Sequence, residues 1–174
     1  MPKKLKEFEI LNILLNSKQF LNMPFGIHGR IHANKVFVLA NTLSNLVKKD
    51  KEIDIIAIII SSLLHDCGRE NDGKDPYHGV KSAEKALDFI EENNISCNKE
   101  LVKECIIRHC PPPDYVFNNP SIESKIIGDA DKLDRFRFLR QKNPFKEEFL
   151  ELEESKSLMD ISSRINGHKW RSFK

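Results

Sequence analysis

The chain has 174 residues, a formal net charge of +2 and four cysteines. That length allows one domain with a real core, and so mild a charge does not imply nucleic-acid binding. Cys67, Cys97, Cys105 and Cys110 show neither C-x-x-C spacing nor the density of a secreted disulfide scaffold, so a reduced, cytoplasmic protein is expected.

Residues 5–20 place Leu5, Phe8, Ile10, Leu11, Leu14 and Leu15 at helical spacing and predict an amphipathic first helix. Asn22, Pro24 and Gly26 read as a loop. The next stretch carries His32, Val36, Leu39, Leu43 and Leu46 on one helical face and ends in Lys48 and Lys49, which suit a helix C-terminus. Ile53 to Arg69 is an apolar run that stops abruptly at His65 and Asp66. Its β-branched residues would suit a strand, but a dozen residues is long for one and no second strand-like run exists to pair with it. A buried helix is expected, with Asp50 as its cap. The run also falls short of the ~20 residues that a membrane span needs, and the N-terminal lysines lack a following apolar stretch and cleavage site, so no signal peptide is expected.

Residues 69–77 form a polar loop in which Asp75 and Pro76 fit the cap and first turn of a fourth helix, with Val80, Ala83, Leu87 and Ile90 inward. Asn98 fits the cap of a fifth, with Val102, Cys105, Ile106 and His109 on one stripe, stopped by Pro111, Pro112 and Pro113. Asn119 and Pro120 open a sixth, with Ile126, Ile127, Ala130 and Leu133 inward. Phe145, Phe149, Leu150 and Leu152 suggest one more amphipathic helix, which could serve as a dimer surface or a lid or simply pack on the bundle. The whole reads as an all-α, compact, single-domain helical bundle over 1–174, with a core at about 22–140 and a C-terminal extension at about 141–174.

A carboxylate beside an imidazole at the end of an apolar run resists burial unless a partner or a cation neutralises it. His32, His65, Asp66, His78, His109 and Asp131 each fall at or beside the inward face, or at the end, of a predicted helix. Singly, each has an ordinary explanation: a hydrogen-bonded core histidine, a helix cap, an acid on a helix border. The dipole at the start of helix four favours a neutral His78, whereas a charged His109 would suit the end of helix five. Together they form the kind of inward-facing set from which helical bundles build metal sites. Imidazole and carboxylate without thiolate suit Mn, Fe, Co, Ni or Zn.

In this order and context the chain resembles the HD-domain metal-dependent phosphohydrolases. The resemblance runs from H-x-x-K-V-x-x-L-A at His32 through L-L-H-D-x-G-R at Leu63–Arg69 to D-A-D-K-L-D at Asp129–Asp134. It implies a first ion held by His32, His65, Asp66 and Asp131, with Asp131 favoured over Asp129 or Asp134. His78 and His109 match the two histidines that some members add for a second ion bridged by Asp66. It also implies hydrolysis of a small-molecule phosphate ester or anhydride, probed first among nucleotides, with no nucleic-acid or membrane partner. The one or two divalent transition-metal ions would activate water, whose pKa such ions bring down towards ~7. With Asp66 at the centre of the chemistry, Arg69, three residues past it, and Lys132, next to Asp131, are the cations best placed for transition-state charge, ahead of Lys74, Arg108 and Arg135. Glu70 and Asp72 are candidates for proton transfer, and His28 for a supporting or phosphate contact, but His168 is expected to be neither. Relatives with the same six residues hold two irons and act as oxygenases, which is the runner-up, and a non-catalytic binding protein is the third reading.

Overall fold

The computed structural model describes residues 5–23, 26–48, 51–138 and 146–166. Its helices are α1 (Glu7–Leu15), α2 (Lys18–Leu21), α3 (Arg30–Val47), α4 (Ile55–Leu64), α5 (His78–Glu92), α6 (Lys99–His109), α7 (Ile122–Asp134), α8 (Glu153–Ser157) and α9 (Met159–Ile165). Single 3₁₀ turns lie at Arg135–Phe138 and Glu147–Phe149. Among the described residues there is no strand, and no helix is long and apolar enough to cross a membrane.

The apolar run is a helix, α4, and every residue from Ala57 to Leu64 is buried. A helix that is apolar all round belongs in the centre, and α4 packs against α1, α3, α5, α6 and α7. It thereby divides the interior into two apolar layers. Ile60, Leu63 and Leu64 join Ile10, Leu14, Phe89, Ile90 and Ile106 on the α1–α5–α6 side. Ile58 joins Val36, Leu43, Ile126, Ile127 and Phe136 on the α3–α7 side. At roughly 1.5–3 kcal/mol for each large side chain fully buried, this double use of α4 makes it the main support of the fold.

Several boundaries differ from expectation for local reasons. The first helix breaks at Asn16 and Ser17, where the Ser17 hydroxyl accepts from the Phe20 N–H at 3.2 Å and starts α2. Such side chains offer the backbone an alternative to continuing a helix. Asp50 lies outside the described residues, and Asp54 is the cap of α4, accepting from the Ala57 N–H at 3.0 Å. Helix α5 starts at His78 rather than next to Asp75, because Asp75 spends its carboxylate on the Tyr77 N–H at 2.9 Å and closes a turn first. Asn98 caps α6 as expected, while Ser121, not Asn119, caps α7.

In place of one C-terminal helix, residues 146–166 form a 3₁₀ turn and the short α8 and α9, which pack on α3 and α7. Leu150 and Leu152 are buried there, Phe149 is exposed, and Phe145 lies outside the described residues.

Candidate metal centre

Four helix ends converge beside the last turn of α4. His65 is the C-cap of α4 and Asp66 follows it in the exit turn, both buried. That turn is pressed against α5: a Cβ at Gly68 would stand 2.4 Å from the Ser82 backbone nitrogen, so only glycine fits. The Gly68 N–H donates to the Ser82 hydroxyl at 2.9 Å and locks the contact. His32 enters from the first turn of α3, His78 from the start of α5, His109 from the end of α6 and Asp131 from α7.

The Asp66 carboxylate divides this set in two. Its Oδ2 lies 3.6 Å from His32 Nε2 and 3.5 Å from His65 Nε2. Its Oδ1 lies 3.1 Å from His78 Nε2 and 3.5 Å from His109 Nε2. On the first side His32 Nε2 also stands 3.2 Å from Asp131 Oδ1 and 3.1 Å from His65 Nε2. On the second, the Nε2 atoms of His78 and His109 face each other at 2.9 Å. Groups that could hold a metal ion, with ligand atoms within 4.8 Å of one another, include His32, His65 and Asp131, and also His65, Asp66 and His109.

The far side of each ring explains its orientation. His65 Nδ1 donates to the Ser62 carbonyl at 2.8 Å, His78 Nδ1 to the Asp75 carbonyl at 2.5 Å, and His109 Nδ1 to the Ile106 carbonyl. A carbonyl only accepts, so Nδ1 of each of these rings is the donor on the far side and Nε2 is the atom turned inward. His32 Nδ1 faces Asp134 Oδ2 at 2.7 Å instead. Lone pairs at such spacing repel unless a proton or a cation lies between them. The donor set, imidazole nitrogens with two inward carboxylates, fits a divalent transition metal.

The protonation balance follows from the same contacts. Burial alone would raise the Asp66 pKa, but the imidazoles facing it, His65 first and then His109 and His28, hold it well below the carboxylate range. Burial likewise works against Asp131, and His32 overrides it, again holding the carboxyl low. Burial disfavours a charged His32, yet Asp131 and Asp134 raise its pKa. For His78 burial is the largest single influence and lowers the pKa, but hydrogen bonds with Asp66, Cys110 and the Asp75 backbone, with the charge of Asp66, together raise it to about 10, reversing the neutral ring that the helix dipole favours. His109 goes the other way, lowered by burial although it ends a helix.

Around this cluster the other candidates separate. Arg69 donates Nε–H to Asp66 Oδ1 at 2.9 Å and sets Nη2 3.1 Å from His78 Nε2. His28 Nδ1 lies 3.0 Å from Asp66 Oδ2, on a loop held by Asp72, which accepts from the Ile27 and His28 N–H groups. Glu70 is exposed on the loop and Lys132 turns away, towards Asp129 and Glu151. Arg108 also goes to Glu151, Lys74 and Arg135 are exposed, and His168 lies outside the described residues.

The three acids of D-A-D-K-L-D do three different things. Asp131 faces the histidines. Asp134 backs His32 and is itself held by Arg137 Nη1 at 3.0 Å and Asn166 Nδ2 at 3.0 Å. Asp129 faces the opposite way and accepts from the N–H groups of Glu151 and Leu152 and from the Ser155 hydroxyl. The supporting places of Asp134, Arg137 and Asn166 escape sequence reasoning; the one available signal is that Asp134, three residues past Asp131, shares its helix face.

No curated protein and no solved structure matches the chain. The family model described as HD domain matches residues 30–135, from the start of α3 to just past the end of α7. That span holds all six converging side chains and covers more than half of the molecule, so the chain belongs to the HD domain family.

Proposed function

We propose that this protein is a metal-dependent phosphohydrolase that cleaves an ester or anhydride of a small phosphate, with nucleotides the first class to test. The observation that carries the reading is the division of Asp66, one oxygen towards His32 and His65 and the other towards His78 and His109. His32, His65, Asp66 and Asp131 would hold one ion, and His78 and His109 with Asp66 a second. Bound there, such ions supply Lewis acidity and a water acidic enough to act near neutral pH. The chain supplies the rest. Main-chain carbonyls and Asp134 fix the rings, Arg69 shares the charge of Asp66, and His28, partly exposed beside Asp66 Oδ2, is able to contact an oxyanion or pass a proton.

The test is elemental analysis of protein grown in metal-supplemented medium, paired with phosphate release from mono-, di- and polyphosphates. About two ions per chain and metal-dependent phosphate release are expected. No phosphate release from any of these with Mn, Fe, Co, Ni or Zn loaded would overturn the reading, and oxygen consumption with iron bound would favour the oxygenase.

A further inference from the structure

Arg108 and Lys132 are chain neighbours of His109 and Asp131, yet both reach for a single carboxylate outside the matched family region. Arg108 Nη2 donates to Glu151 Oε2 at 2.5 Å, and Lys132 Nζ lies 3.4 Å from Glu151 Oε1. The two cations converge over Gly128, where a Cβ would stand 3.9 Å from Lys132 Nζ and 4.0 Å from Arg108 Nη1. Gly128 precedes Asp131 by three residues and so shares its face of α7, about one turn, ~5 Å, along the axis.

The Glu151 carboxylate is not what anchors its segment. The Glu151 N–H donates to Asp129 Oδ2 at 2.9 Å, the Leu152 N–H to the same oxygen at 2.9 Å, and the Ser155 hydroxyl to it at 2.8 Å. Leu150 and Leu152 are buried in the α3–α7 layer besides. The Glu151 side chain, in contrast, is 32% exposed and can swing out while its main chain stays in place. Burial would raise its pKa, but Arg108 and Lys132 keep it below the ordinary value, so it is charged at neutral pH. When it leaves, Arg108 has no other hydrogen-bond partner among the described residues for its planar fork, which matches a phosphate oxyanion bidentately. Among the described residues Lys132 then keeps a long contact to Asp129 Oδ1 at 3.5 Å.

We propose that Arg108 and Lys132 form an oxyanion subsite of phosphate type about one turn of α7 from Asp131, and that Glu151 occupies it as a tethered competitor which the substrate's anion displaces. The identity of the anion as substrate rests on the phosphohydrolase reading; the subsite itself does not.

The experiment is calorimetric titration of the full-length, metal-loaded protein with inorganic phosphate. Glu151→Gln keeps the backbone N–H on Asp129 and removes the charge, and should tighten phosphate binding by about tenfold, as loss of a partly exposed ion pair allows. Adding Arg108→Gln should cancel the gain. Equal affinity in Glu151→Gln and the parent, or a gain that survives Arg108→Gln, overturns the proposal. If Glu151→Gln fails to fold by circular dichroism, Glu151→Asp withdraws the carboxylate from Arg108 and gives the same comparison. A KM for a phosphate ester that falls in parallel marks the anion as the substrate's, and an unchanged KM marks free phosphate as an effector; the subsite stands in both. Because binding is read without turnover, a chain that hydrolyses no phosphate ester would refute the phosphohydrolase reading and leave this result intact.

Discussion

His32 on α3 and Asp134 on α7 meet through Nδ1 and Oδ2 at 2.7 Å, both side chains buried. The contact fixes the ring so that Nε2 faces Asp66 and Asp131, and it ties two helices that also share an apolar layer. A carboxylate behind a metal-binding histidine sets its tautomer and raises its basicity. Asp134→Asn should therefore weaken metal affinity by about 10–100-fold while the helical content stays intact. Competition with a coloured chelator measures this, and an unchanged affinity would show that Asp134 serves packing alone.

Asp66 takes part on both sides of the cluster, so Asp66→Ala should remove metal and activity together. Elemental analysis and a phosphate-release assay check it. A fully metal-loaded, active Asp66→Ala protein would sink the two-sided arrangement.

Metal binding should release protons and tighten with rising pH. His32 and His78 both have raised pKa values, the latter to about 10 from an ordinary 6.5, and each must give up a proton to coordinate. The sign for the metal-free protein is the reverse. A histidine whose folded pKa is raised stabilises fully below about 6.5 and loses that stabilisation as pH climbs towards its folded value. Asp66 and Asp131, held low, contribute throughout this range and change nothing. The difference in Tm between metal-loaded and chelator-treated protein should then widen from pH 6 to pH 9, as read by thermal melting in buffers of low metal affinity.

Gly68→Ala would force a methyl group to within 2.4 Å of the Ser82 backbone nitrogen and 2.7 Å of the Lys81 carbonyl carbon. Backbone cannot yield as a side chain does, so a loss of about 1–3 kcal/mol is expected, with the turn that carries Asp66 displaced. Denaturant unfolding gives the first quantity, and metal affinity reports the second.

Asp129 fastens the C-terminal segment through three donors to a buried carboxylate. Asp129→Ala should strip those donors of their partner and expose residues 146–166 to protease. Limited proteolysis followed by mass spectrometry would locate the cuts, and an uncut segment would mean that Leu150 and Leu152 hold it unaided.

The local pattern of the chain determined what local physics controls. An apolar run without a partner strand had to be a buried helix, α4, and its end had to bring His65 and Asp66 into the interior. Period and caps likewise placed His32, His78, His109 and Asp131 on helices of the right kind, and Asn98 at the start of α6. Where short polar side chains compete for backbone donors, periodicity gave way, as at Ser17, Asp54 and Asp75. The sequence contains nothing that ranks Asp129, Asp131 and Asp134 by physics, because they differ only in which way α7 turns them once α3, α6 and the C-terminal segment have packed. The protonation of His78 and His109 was likewise decided in three dimensions. The helix dipole acts along the chain and is weak, while burial and a carboxylate at 3.1 Å act across it and are strong. Glu151 between Arg108 and Lys132 belongs to the same class: charges far apart in sequence whose meeting only the packed tertiary structure fixes.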